Sequence, residues 1–320
     1  MKLATLLCLL SVVGSVSANE PPNAIRSCKS FAYLLQAEGL GPREQAIERL
    51  AGCDRDLIVM DYAYYGDAKS KWTRSEIERI RAARANRKVV AYLSLGEAGT
   101  YRFYWQTAWD SNKDGTPDDD APSWLLAANP DWPDNYKVLY WDAMWQRHVL
   151  KHLDEIIAQG FDGVYLDIVD AFEFFEHDRK RDRWIDNRPN PLTGNTYRED
   201  MIAWVRTIAE HARRSNPQSL IIPQNGLQLL ESKSFVKTIS AVGVEDLFTH
   251  GNRLQRQQDT NYRRSFLKHA DKANKSVFLI EYFRNAKART HAIQQANSLG
   301  YPLLITDRSL KTLGQSVHGE

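Results

Sequence analysis

The stretch Gly160-Phe-Asp-Gly-Val-Tyr-Leu-Asp-Ile-Val-Asp-Ala-Phe-Glu-Phe-Phe175 joins a glycine stop to a short apolar run that ends on an acid, with Asp170 and Glu173 close behind. Upstream, Trp145, Val149, Leu153 and Ile156 recur at helical spacing on one face, and Gly160 supplies the residue that ends such a helix. The run from Gly163 to Asp167 is apolar on both faces, as a strand covered from both sides must be. Helix, glycine and doubly buried strand together make one unit of a parallel α/β fold.

The unit repeats along the chain. Short apolar runs, rich in β-branched residues and not strictly alternating, occupy residues 57–61, 88–97, 137–142, 163–167, 220–225, 241–245, 276–281 and 302–306. Between them lie helical patterns such as Ile77 with Ile80, and Met201 with Val205 and Ile208. Eight strands alternating with helices predict a single (β/α)8 TIM barrel over residues 19–320. The rival, a doubly wound open sheet, lacks a glycine-rich phosphate loop after its first strand.

Of 320 residues, 43% are hydrophobic and 26% charged, enough for a sizeable core in one domain. The formal charge is +2, and no lysine or arginine run dominates a segment, so a nucleic-acid partner is not expected. The opening MKLATLLCLLSVVGSVSA has the layout of a secretory signal peptide over residues 1–18. Its apolar run is too short for a committed span, and no later stretch is long enough to cross a membrane. The expectation is a secreted or periplasmic protein, monomeric, with no stable membrane span after cleavage. In an oxidising compartment Cys28 and Cys53 are permitted a disulfide, although two separate buried thiols suit the sequence equally.

In such a barrel the C-terminal strand ends form the active-site face. Asp61, Glu97, Asp167, Asn225, Glu245 and Glu281 all stand where a strand gives out. One such acid is most simply a helix cap, but Glu is a poor cap and three of the six are Glu. The eight histidines fall mostly in helices and loops, which argues against a catalytic transition metal. Aromatic residues, among them Tyr62, Tyr65, Tyr92, Tyr101, Tyr165 and Tyr282, crowd the same strand ends and suit sugar rings. Glycoside hydrolysis needs two carboxyls about the scissile bond, and Asp167 with Glu245 is the best-supported pair.

The runs Tyr92-Leu-Ser-Leu-Gly-Glu-Ala98 and Tyr101-Arg-Phe-Tyr-Trp105, then GVYLDIVDAFE, Pro223-Gln-Asn-Gly226 and Val242-Gly-Val-Glu-Asp246, carry a resemblance. In order, and over most of the chain, they resemble the secreted barrel proteins grouped with glycoside hydrolase family 114, typified by endo-α-1,4-polygalactosaminidase. The likeness is closer to a branch containing Gly-Glu-Ala. It implies Asp167 and Glu245 as the catalytic acids, and the habit of barrel α-glycosidases makes Asp167 the nucleophile and Glu245 the acid/base. The polysaccharide is then an α-linked amino-sugar or galactose-type polymer, and no cofactor is required.

Position assigns substrate-binding roles to the rest. Asp61, Glu97 and Glu281 are expected to bond hydroxyls or an ammonium, Arg102 to pair with Glu97 or Asp167, and Tyr165 and Tyr282 to stack or donate. Tyr62, Tyr92, Tyr101, Asp170 and Asn225 complete the expected set. The segment at residues 110–120 spaces Asp110, Asn112, Asp114 and Asp118 like a Ca²⁺ loop, with Gly115 at the turn but Ala121 where the last ligand belongs; a structural calcium is one reading, a solvated acidic turn the other. A non-catalytic polysaccharide-binding barrel and a metal-dependent hydrolase are the alternative functions.

Overall fold

The computed structural model describes residues 25–317, so the expected signal peptide lies outside the described residues. Eight strands run in parallel around one axis: β1 (Phe31–Leu34), β2 (Leu57–Met60), β3 (Lys88–Ser94), β4 (Gly163–Asp167), β5 (Leu220–Pro223), β6 (Ala241–Glu245), β7 (Ser276–Glu281) and β8 (Leu303–Ile305). Hydrogen-bonded pairing joins β1 through β5 in chain order and β6 through β8 likewise. A parallel bridge between Gln224 and Gly243 connects the two groups. At the remaining seam, the strand Gln315–Val317 pairs antiparallel with β8, Phe31 N donates to Ser316 Oγ at 3.2 Å, and Leu35 N donates to the Leu310 carbonyl at 3.1 Å.

Helices α1 (Arg43–Gly52), α2 (Arg74–Ala82), α3 (Ala143–Gln159), α4 (Ala171–Glu176), α5 (Tyr197–Ser215), α6 (Lys233–Thr238), α7 (Gln257–Lys272) and α8 (Ala286–Leu299) cover the outside. Their ends follow the sequence. Thr73 with Glu76, and Thr196 with Glu199, form capping boxes at α2 and α5, while Gly160 at φ 82° closes α3. The buried face of α3 is Trp145, Val149, Leu153 and Ile156, as its spacing predicts. Among the described residues no helix is long and apolar enough to cross a membrane.

Two strands differ from expectation. Residues 137–142 give no barrel strand; Trp132–Val138 instead pairs antiparallel with Glu97–Gly99 and Leu125–Asn129 in a small sheet inserted between β3 and α3. Its apolar side chains serve a local aromatic cluster: Trp105 lies 4.7 Å from Tyr136, and Trp109 lies 5.3 Å from Trp124. The missing stave is β1, a four-residue strand buried throughout. One strand is lost and one gained upstream, so Asp167 still ends the fourth barrel strand and Glu245 the sixth. Cys28 and Cys53 form no disulfide. Cys28 is buried in the barrel interior, and its thiol is pushed up to about 12, chiefly by burial; Cys53 packs against the outer core and donates to the Leu50 carbonyl.

Strand alternation divides the core. Inward residues fill the barrel with Phe31, Tyr33, Val59, Val90, Tyr92, Tyr165, Ile222, Phe278 and Ile280, while outward neighbours pack under the helices. Tyr165 is the large member of the middle layer, its ring 5.2 Å from that of Tyr33. A Cβ at position 243 would stand 1.8 Å from the Tyr165 hydroxyl. Gly243 is therefore a matter of room, not backbone angle.

Gly243→Ala should lower stability by about 1–3 kcal/mol through overpacking. In urea unfolding, the double variant with Tyr165→Leu should lose less than the sum of the two single losses; strict additivity would show that the two residues do not share this space.

Candidate active site

The residues that end each inward row set the chemistry. On β4 the row is Tyr165 then Asp167; on β6 it is Gly243 then Glu245, so both acids stand directly above the Tyr165 layer. Only β5 separates their strands, which at about 4.8 Å per strand spacing puts the backbones roughly 10 Å apart or less on a curved sheet. Glu245 feels Asp167: after burial, the charge of Asp167 is the leading cause of the raised pKa of Glu245.

The two carboxyls are solvated differently by the protein. Asp167 accepts from the Tyr92 hydroxyl at 2.8 Å, from Ile168 N at 2.8 Å and from Gln224 Nε2 at 3.3 Å. Burial lifts its pKa, and the Tyr92 and Ile168 bonds hold it back. Glu245 accepts from the Tyr282 hydroxyl. Burial and then the charge of Asp167 push it to about 7, against that bond. Its backbone is clamped: Asn225 Oδ1 accepts from Glu245 N at 3.2 Å, and Arg263 donates to the carbonyls of Glu245 at 2.7 Å and Asp246 at 2.8 Å.

A cleft of about 390 Å³ opens beside Glu245, lined in part by Asp170, Glu173, Asn225, Asp246, Asp259, Tyr262 and Phe266. Asp170 lies close enough to Glu173, Asp167 and Glu245 that their charges, after burial, drive its pKa well above the carboxylate range. Tyr101, 42% exposed, stands at the rim with its ring 4.8 Å from the Arg102 guanidinium. The structure thus brings Tyr92, Tyr101, Asp167, Asp170, Asn225, Glu245 and Tyr282 to one mouth, with Tyr92 and Tyr282 bonded to the carboxyls and Asn225 holding the backbone of Glu245 at the cleft wall.

Other expected site residues serve differently. Tyr62 follows Asp61, so alternation turns it outward; it is fully buried, its ring 4.2 Å from that of His152 on α3. Glu281 also points outward on β7, where it is fully buried and accepts from Phe248 N at 2.8 Å and from the Thr249 hydroxyl, bracing the loop after β6. Tyr165 is sealed in the floor and offers no stacking face. Asp61 faces inward but is bound by Arg102 through two bonds of 3.0 and 2.6 Å, so Arg102 pairs with neither Glu97 nor Asp167. Glu97 starts the inserted sheet, buried and held by Asn129 Nδ2 at 2.8 Å; burial raises it to about 7, with a smaller contribution from the Asp167 charge.

Among the described residues no group of three or more His, Cys, Asp or Glu is placed to hold a metal. In the expected calcium loop, Asp110 accepts from Gly115 N and Asp114 N, Asn112 from Asp114 N, and Asp118 from Ser111 N. Those oxygens brace the loop's own backbone. Sequence reasoning missed Gln224, Arg263 and the cleft residues Tyr262 and Phe266. Gln224 lay within reach, being two residues beyond Ile222 on the inward row, whereas the others come from α7 and depend on how that helix docks.

Two desolvated carboxyls above the floor of a (β/α)8 barrel are the arrangement that glycoside hydrolysis calls for. The family profile for Glycoside-hydrolase family GH114 matches residues 16–320, and the chain belongs to that family. It is 39% identical to an uncharacterized protein of Deinococcus radiodurans over 81% of this chain and 75% of that one. It is 35% identical to the uncharacterized protein MJ1477 of Methanocaldococcus jannaschii over 79% and 66%. Among solved structures, the glycoside hydrolase domain of PelA from Pseudomonas aeruginosa superposes with a TM-score of 0.60 at 17% identity, covering 90% of this chain and 98% of that one. Aspergillus fumigatus Ega3 in complex with galactosamine gives 0.58 at 19%, covering 90% and 92%. Both likenesses are of fold.

Tyr92→Phe should raise the pKa of Asp167, and Tyr282→Phe that of Glu245, because each removes a donor to the ionised form. The first moves the acidic limb of the rate profile upward and the second the alkaline limb upward, each with a roughly tenfold fall in kcat. Both limbs unmoved would show that neither phenol touches a working acid.

Proposed function

We propose that the protein is a secreted or periplasmic glycosidase that cleaves an α-linked amino-sugar polysaccharide, in the manner of an endo-α-1,4-galactosaminidase. Asp167 is the nucleophile and Glu245 the acid/base. The carrying observation is the split in their environments. Three donors favour ionised Asp167, whereas burial beside the Asp167 charge keeps Glu245 protonated to about 7. Two like residues driven apart by their surroundings provide the acid and the base of one reaction.

Asp167 attacks the anomeric carbon as Glu245 gives its proton to the leaving oxygen. Glu245, now ionised, takes a proton from water, and that water displaces Asp167 and regenerates both groups. Polymer class is supported by the cleft, where Glu173 among the lining acids has no cation partner among the described residues and offers an acceptor to an ammonium group, and Tyr262 and Phe266 offer ring faces. The galactosamine complex of the structurally similar Ega3 is consistent with that chemistry. The leader-like residues 1–18 support export.

On α-1,4-galactosaminan, Asp167→Asn and Glu245→Gln should each lower turnover by about 10²–10⁴-fold. The stability contribution of a raised carboxyl is complete below its unfolded pKa, near 4.5 for Glu245, and is lost as pH rises through about 7. Above pH 7 Glu245→Gln should therefore match or exceed the wild-type melting temperature. Wild-type kcat/KM should fall as pH rises through about 7, and on the acid side as Asp167 is protonated above the ordinary aspartate range. Substantial turnover by either variant would refute the assignment of that residue.

A further inference from the structure

The inserted sheet carries a cavity of about 590 Å³ that the catalytic assignment leaves unused. One wall is the braced loop containing Lys113 and Asp114; the others include Trp105, Asn129, Asp134 and Tyr136. Trp105 is half-buried and fixed against Tyr136 at 4.7 Å and Trp109 at 5.3 Å, so its ring is rigid. The loop is equally fixed. Asp110 and Asn112 hold the amides of Asp114 and Gly115, Asp114 itself caps Thr116 N at 2.8 Å, and Asp118 ties Ser111. The spaced oxygens thus hold Lys113 and Asp114, which line the cavity, on a stiff frame.

The cavity adjoins the strand end that carries Asp167: β3, whose last residue Ser94 pairs with Asp167, runs on into the inserted sheet at Glu97. Asn129 lines the cavity, and the amide of Asn129 donates to Glu97 at 2.8 Å; the charge of Asp167 is felt at Glu97 in turn.

We propose that this cavity is a distal glycan-binding site that holds a hexosamine unit of the same polymer, away from the scissile bond. Trp105 offers a flat face to the pyranose, Asp114 and Asp134 accept from its ammonium, and Lys113 donates to hydroxyls. The choice of an amino sugar rests on the reading given above for the catalytic mouth; the site itself rests on the cavity. A distal site adds affinity only for chains long enough to reach both places, since the second contact is then intramolecular.

The test compares Trp105→Leu and the double variant Asp114→Asn/Asp134→Asn with their parents, on long α-1,4-galactosaminan and on its trisaccharide. Polymer binding is read by affinity electrophoresis in the Asp167→Asn background, using galactosaminan, chitosan and neutral galactan in parallel gels. The expected result is a five- to tenfold loss of retention by the cationic polymers and a matching rise in polymer KM, at least fivefold larger than any change on the trisaccharide. The double variant replaces two exposed side chains, so it reports on the site even where Trp105→Leu fails to fold. Equal losses on long and short substrates, unchanged retention, or a parent that binds none of the three polymers would overturn the site. A parent that binds galactosaminan but does not cleave it would count against the catalytic reading alone.

Discussion

The mouth depends on a steric fit below it. Tyr165 extends across the barrel to a strand position that has no Cβ, and its ring closes the interior beneath Asp167 and Glu245. With the floor sealed, both acids sit where water is scarce from below, and burial becomes the largest influence on each. Wider packing at this layer would admit water and return the carboxyls toward ordinary behaviour. A contact with no direct part in chemistry thereby fixes the electrostatics of the two acids proposed to carry it.

Three arginines near the mouth are engaged elsewhere. Arg102 is committed to Asp61, Arg308 to Asp246, and Arg263 to the backbone carbonyls of Glu245 and Asp246. Among the described residues neither Asp167 nor Glu245 has a salt bridge. Phenols take the place of cations: Tyr92 on Asp167 and Tyr282 on Glu245. A neutral donor orients a carboxyl and steadies its charge far less than an arginine would. That difference leaves Glu245 able to carry a proton near neutrality while its geometry is held.

Periodicity conveyed the barrel, because doubly buried strands must be apolar on both faces and their helices must be apolar on one. It also conveyed the pair Asp167 and Glu245, each directly following apolar strand residues. β1 escaped notice because Phe31-Ala-Tyr-Leu34 is too short to stand out as a run, and residues 137–142 misled because an aromatic cluster outside the barrel needs the same composition as a stave. Tyr62 and Glu281 were misplaced by one step of alternation. Position at a strand end is legible without structure; the face toward which the side chain turns requires the register. Gln224 follows from that register once known, whereas Arg263, Tyr262 and Phe266 come from α7 and depend on tertiary docking alone.

Three glutamates, Glu97, Glu245 and Glu281, all rise to about 7, so a shifted pKa does not by itself choose the acid. Orientation does. Glu281 faces the helices and spends its oxygens on Phe248 N and the Thr249 hydroxyl, where no substrate reaches. Glu97 is buried in the insertion with an oxygen held by Asn129, and it belongs to the edge strand of the inserted sheet rather than to the ring of inward strand ends. Glu245 alone of the three ends an inward row, lines the open cleft and takes a large part of its shift from Asp167. The acid and nucleophile of a glycosidase must lie within reach of one bond, and the upward push of the Asp167 charge on Glu245 is the electrostatic trace of the nearness of these two carboxyls.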